Sequence, residues 1–208
     1  IIEHTVSTLF HNFLECFLFP PFLFYPLYFF LLIFGSIFSL YALFLLVDLN
    51  QFEIDYSNFN KVIKKGAFEI YVPKYLHLDK KLHPKAAVAY CDSLNNSFYI
   101  IIREEIPDTE DDSITITLEN YHKFACNGIS TQLANSNVDE AVVDTLNLVP
   151  ALTSTIDGKF GEHKVFYTVT TLKTSLYFYQ LVGWTLYSYR NTIGTDLINA
   201  SKSFAPVE

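Results

Sequence analysis

Hydrophobic positions divide the chain into two unlike parts. Residues 16–47, CFLFPPFLFYPLYFFLLIFGSIFSLYALFLLV, contain no charged side chain, and after them apolar runs are short and separated by polar turn signals. Pro20, Pro21 and Pro26 interrupt the first run, because proline lacks an amide donor and clashes with the preceding turn of a helix. Leu27 to Val47 then runs 21 residues without proline. At about 1.5 Å of rise per residue that is enough for one transmembrane helix over 27–47, inside a hydrophobic segment 1–47. Two rival readings stay open. A secretory signal would carry basic residues ahead of its apolar stretch, yet no Lys or Arg precedes Lys61. Phe/Leu/Tyr/Ile runs without methionine are also what AT-rich non-coding DNA encodes, so upstream translation is the third reading. The retained span is preferred. The chain has no methionine and begins Ile1-Ile2, which suits a fragment, a processed chain or a frame read upstream of its start.

Residues 48–65 are polar and read as a connector, leaving 66–208 as a domain. AFEIYVP alternates and closes at Pro73, as a first strand would. AAVAYC and SFYIIIREEI flank Asp92–Asn96, whose paired asparagines suit positive φ in a tight turn, so 86–106 reads as a β-hairpin. From about Ile116 to Leu133, Leu118, Tyr121, Ala125, Ile129 and Leu133 recur at helical spacing. NLVPALTSTIDG reads as a strand ending at an Asp157-Gly158 turn, and HKVFYTVTTL as the next strand. In NTIGTDLINASKSF, Asn191 or Thr192 caps a last helix with Ile193, Leu197, Ala200 and Phe204 on one side.

SLYFYQLVGWTLYSY, 175–189, has a period of two. Its even positions include Phe178, Val182 and Trp184, which predicts a core face with Trp184 buried. Its odd positions include Tyr177, Tyr179 and Tyr187. These three form a candidate interaction surface, with a covering helix as the equal alternative. Consecutive hairpins with two helices give an α+β fold: an antiparallel sheet flanked by helices, preceded by the hydrophobic N-terminal helix.

Charge narrows the partners. The net charge is −8, 20 of the 22 acidic residues lie from Asp48 onward, and the densest basic group is only Lys61, Lys64 and Lys65. Nucleic acid is therefore excluded as a partner, because no basic track exists to follow phosphates. Three cysteines, Cys16, Cys91 and Cys126, make no framework spacing and read as free thiols rather than a bridge.

FEIYVPKYL (68–76), AVAYCDSLNNSFYIIIREE (87–105), YFYQLVGWTL (177–186) and SKSF (201–204) together resemble the PsbP-like family, whose fold is shared with the Ran-binding Mog-type nuclear import factor. The match is clearest with PsbP-like proteins of Bacteroidetes-type bacteria and covers about 66–204. The resemblance implies an α/β/α sandwich and mostly non-catalytic roles, as extrinsic subunits or binding modules. It does not fix a ligand.

No nucleophile elbow, HExxH, P-loop or dinucleotide fingerprint is present. His77, Asp79 and His83 lie within seven residues but match no standard zinc spacing, so they read as solvated loop residues. The acidic run DTEDD lacks EF-hand spacing and suits a helix N-terminus instead. No catalytic, cofactor-binding or metal residue is therefore assigned. The expectation is a non-enzymatic module without a cofactor, anchored to the membrane of the cell envelope, with the side of the membrane left open. It would act in binding a protein partner or in assembly. The alternatives are a small-ligand carrier with a pocket under the sheet, or an enzyme whose site forms only in the fold.

Overall fold

The computed structural model describes residues 54–106 and 116–207. The segment 27–47 lies outside them, as does DTEDD. Among the described residues no helix is long and apolar enough to cross a membrane.

Eight strands build one antiparallel sheet. In spatial order they are β3 (His77–Leu78), β4 (Ala86–Asp92), β5 (Ser97–Glu105), β10 (Tyr177–Leu186), β9 (His163–Lys173), β8 (Val149–Phe160) and β6 (Ala134–Val138), with β7 (Val142–Leu146) also on β8. A smaller sheet joins β1 (Phe59–Lys64), β2 (Phe68–Pro73) and β11 (Ala205–Pro206). Helix α1 (Leu118–Ser130) and helix α2 (Ile193–Lys202) complete the fold, with a single 3-10 turn at Tyr187–Tyr189. The antiparallel α+β reading holds.

The hairpin β4–β5 turns as its asparagines predict, with Asn96 at φ 49°. Helix α1 starts where Thr117 accepts a hydrogen bond from the Asn120 amide at 3.2 Å, a cap that satisfies one of the helix's orphan donors. Its buried side chains are Tyr121, His122, Ala125 and Cys126.

Three expectations need correction. The connector 48–65 contains strand β1, which pairs antiparallel with β2 from Phe59↔Pro73 to Lys64↔Phe68. Its polar composition hid it because an edge strand buries little: only Phe59 is buried along it. Second, Asp157-Gly158 is not a turn. Both residues pair within the ladder to β9, and the chain reverses at Gly161, where φ is +59°. Gly158 instead admits Leu133, whose Cβ would lie 2.9 Å from any Cβ placed there. Third, β6 and β7 were unassigned in sequence. Both are short and almost wholly exposed, so they carry no apolar alternation to read.

Strand β10 is buried on both faces. Tyr179 and Leu181 point to the core formed with α2 and the small sheet, at 1 % and 0 % exposure. Phe178 and Val182 point to the side that carries α1. Helix α2 comes close because Gly183 has no side chain. A Cβ there would lie 2.9 Å from Leu197 Cβ and 3.1 Å from both Thr168 Cγ2 and Tyr99 Cδ2. The Tyr179 ring meets Phe204 at 5.1 Å and Phe68 at 6.3 Å between centroids, and its hydroxyl donates to the Ala67 carbonyl at 3.2 Å. One side chain thus joins the large sheet, the small sheet and the end of α2.

Tyr179→Ala should cost about 3–5 kcal/mol by denaturant unfolding, the usual loss for a large buried aromatic. Tyr179→Phe should cost only about 1 kcal/mol, the net worth of one hydrogen bond. Equal losses from the two substitutions would contradict the tripartite packing.

Candidate functional site

A groove of about 330 Å³ opens between α1 and the neighbouring strands. Ile100 and Ile102 of β5 and Val182 and Trp184 of β10 line it from the sheet, and Phe124, Ala125, Gly128 and Ile129 line it from α1. Leu133, Tyr167, Phe160, Gln132, Gln180 and His83 complete the lining, which among the described residues contains no Asp, Glu, Lys or Arg.

The groove follows from dimensions. A helix about 10 Å across covers about two strands spaced ~4.8 Å apart. Helix α1 lies over β8 and β9. Phe178, Val182 and Ile100 are buried on this side, while Ile102 of β5 and Trp184 of β10 stay half-buried beside α1.

Trp184 belongs to this groove, not to a sealed core. It is half-buried, and its indole stacks on Phe98 of β5 at 4.9 Å and on Tyr167 of β9 at 5.7 Å between centroids. The period-two pattern named the right face, but a face pattern carries no information on how far a helix reaches across it.

Tyr177 and Tyr179 stay neighbours, with ring centroids 6.3 Å apart, while Tyr187 leaves them. Tyr179 is buried, so its expected accessibility is corrected: α2 and the small sheet cover the odd-numbered face. Tyr177 is half-buried, with the Arg103 guanidinium 3.5 Å above its ring. Tyr187 has left the strand for the 3-10 turn, where Lys164 and Arg190 lie over its ring at 3.3 and 4.6 Å. With Tyr179 buried and Tyr187 on the turn, the three do not make one exposed surface.

His77, Asp79 and His83 also disperse. His77 is exposed on β3, Asp79 accepts from the Lys81 amide at 2.9 Å, and His83 lines the groove. Among the described residues no cluster of three His, Cys, Asp or Glu is placed to hold a metal ion. Cys91 and Cys126 are free.

Two polar networks sit under α1. Tyr121 donates to Glu104 at 2.6 Å, and the Gln180 amide donates to the Tyr121 hydroxyl at 2.9 Å. Burial and the bond to Glu104 raise the Tyr121 phenol far above its usual range, which keeps it a neutral donor. Deeper in, His122 Nδ1 bonds the Thr171 hydroxyl at 2.9 Å and its Nε2 the Ser154 hydroxyl at 3.0 Å, with Cys126 Sγ 3.5 Å from Nε2. Sequence gave no sign of this cluster beyond the i, i+4 spacing of His122 and Cys126, because its other members come from β8 and β9. A thiol beside an imidazole is a nucleophile only as a thiolate. Here burial raises the Cys126 thiol and lowers the His122 imidazole, so both stay neutral beneath the helix.

No family model matches the chain, and no curated protein matches it in sequence. Solved structures do. The cyanobacterial PsbP (CyanoP) from Synechocystis sp. PCC 6803 is similar at TM-score 0.54 and 14% identity, covering 76% of this chain and 96% of that one. The chain has a PsbP-like fold. LpqN of Mycobacterium tuberculosis, described as involved in cell envelope biogenesis, shares it at TM-score 0.53 and 14% identity, over 72% of this chain and 91% of its own. The PsbP-like domain therefore keeps the architecture that its motifs suggested.

The buried imidazole makes stability pH-dependent. Its folded pKa lies below the unfolded value of about 6.5, so the unfolded chain takes up the proton first. The His122 contribution is therefore complete above about pH 6.5 and is lost as pH falls below it. Melting temperature should drop between about pH 6.5 and 5, and His122→Gln should flatten that drop. An equal slope in both proteins would show that other groups carry it.

Proposed function

We propose that the PsbP-like domain is a non-catalytic binding module and that its ligand sits in the groove beside α1. The observation that carries this reading is a 330 Å³ concavity lined by apolar and aromatic side chains and a few uncharged polar groups. Such a lining is the usual character of a small-molecule site. Gly128 supports it independently. A glycine inside a helix costs about 1 kcal/mol relative to alanine, yet nothing lies within 4 Å of a Cβ placed there and its φ is not left-handed. Packing does not require glycine at 128, and its exposed position leaves that stretch of the groove wall without a side chain.

A site for acid–base or nucleophilic chemistry is not what this lining offers. Among the described residues no carboxylate, amine or thiol lines the groove, and its one imidazole is His83. The charge-free segment 27–47 supports tethering of the domain to a membrane, and the envelope role described for LpqN agrees with that setting.

Gly128→Phe should fill the groove and leave the melting temperature unchanged or higher. Nile red, a neutral apolar dye, should quench Trp184 saturably in the wild type and weakly in the variant. Trp184 is the single tryptophan of the chain, so the signal reports this groove alone. Quenching that is unsaturable, or identical in both proteins, would remove the groove as the binding site. If 27–47 spans a membrane, the full chain should stay with membranes through a high-pH wash; release into the supernatant would sink the tether.

A further inference from the structure

The large sheet has one edge that is neither short nor blunted. At one end of the strand order, β3 is only two residues long. At the other end, β8 carries β6 along one half and β7 along the other. Strand β6 blunts its half. Its register to β8 shifts between Ala134 and Asn137, and Asn135 is left-handed at φ 51°. Such irregularities turn an edge away from further pairing. Strand β7 pairs without a shift from Val142↔Thr153 to Leu146↔Val149, and among the described residues no strand lies on its outer side.

The hairpin decides which backbone groups of β7 face outward. Its loop is Asn147-Leu148, both at positive φ, so Leu146↔Val149 closes the ladder as a hydrogen-bonded pair. Bonded and non-bonded pairs alternate from there, which makes Val143↔Leu152 a non-bonded pair. Val143 therefore turns its N–H and C=O away from β8. Its side chain is 80 % exposed, and that of Val142 is 65 % exposed. Lysine, proline or a bulge normally protects such an edge, and VVDTL has none of them.

We propose that β7 accepts an extended, basic segment of a partner protein as an added antiparallel strand. Main-chain bonds to Val143 hold such a strand, and alternate side chains select it. The selecting charge comes from the cleft beside the edge. Val142, Asp144 and Leu146 share one face of β7 and line a cleft of about 330 Å³ against α2. Asp139 and Glu140 line it too, and Lys202 of α2 supplies its one cation, so the carboxylates prevail.

Geometry then sets the pattern of the partner. An added strand lies about 4.8 Å from β7. Its residue opposite Val143 bonds the outward N–H and C=O, and its side chain falls on the face of Val143, where an apolar group fits. The residues on either side of that one stand opposite Val142 and Asp144, on the face of the cleft. A lysine or arginine there lays its stem along Val142 and its head among the carboxylates. The partner sequence is thus basic, apolar, basic. The same carboxylates oppose the pairing of two β7 edges, which would set acidic residues against each other.

The test uses the full chain and three short dye-labelled peptides, followed by fluorescence anisotropy. One alternates lysine and valine, one has glutamate for lysine, and one is the lysine peptide with its valine amides N-methylated. The lysine peptide should bind at one saturable site and slow hydrogen exchange at the Val143 amide. The glutamate and N-methylated peptides should not bind. Asp144→Lys should leave the melting temperature unchanged and weaken the lysine peptide about fivefold. Equal binding of the lysine and glutamate peptides would overturn the basic partner. Equal binding of the N-methylated peptide, or unchanged exchange at Val143, would overturn strand addition. A Val143 amide that is protected in the chain alone and loses protection on dilution would assign the edge to a second copy instead. Absence of binding by the lysine peptide would overturn the proposal outright. None of these outcomes bears on the groove, which Trp184 reports separately.

Discussion

Burial of β10 on both faces sets the rest of the architecture. A strand with two apolar faces needs cover above and below, and this one receives it by different means. On the odd-numbered side Gly183 lets α2 approach until Leu197 fills the space of the missing side chain. Tyr179 then reaches past the helix end to Phe204 and Phe68 and donates to the Ala67 carbonyl. The small sheet depends on these contacts. Its strand β11 is two residues long and its strand β1 buries only Phe59, so neither could hold β2 in place alone.

The even-numbered side is covered less completely. Helix α1 attaches through polar contacts at its first turns: Tyr121 to Glu104, and His122 to Ser154 and Thr171. Hydrogen bonds to fixed hydroxyls on β8 and β9 set its lateral position more sharply than apolar contact would, because they tolerate little sliding. Helix α1 is thereby held over β8 and β9, and Ile102 of β5 and Trp184 near the end of β10 stay half-buried beside it.

Much of this was legible in the chain. Strands β2, β4, β5 and β10, both helices and the antiparallel α+β class follow from period and turn chemistry, since each carries its own apolar alternation or stripe. What was not legible had one of two causes. Strand β1 and strands β6 and β7 are edge elements whose side chains are mostly exposed, so propensity and pairing, not pattern, define them. The site was hidden for another reason. Its lining comes from β5, α1, β8, β9, β10 and the loop that carries His83, and no two of these share a sequence signal. Asp157-Gly158 shows how a sound local rule fails. The dipeptide suits a turn, but the glycine answers to Leu133 packing from across the sheet, a constraint that local sequence cannot express.

Three glycines answer to different constraints. At 183 and at 158 an added Cβ would strike a neighbour at 2.9 Å, so close packing explains both. At 128 it would strike nothing, and the helix bears the propensity cost of glycine without a packing gain. The first two belong to a domain closing its core. The third belongs to a wall kept low. Its neighbour on the helix, Phe124, is a large apolar residue left 71 % exposed, although the opposite preference would serve solubility better. The helix thus places its smallest residue along the groove and its largest exposed ring beside it. The sheet beneath it answers with Trp184 stacked on Phe98 and Tyr167, so both walls of the groove are aromatic where the core leaves them half-open.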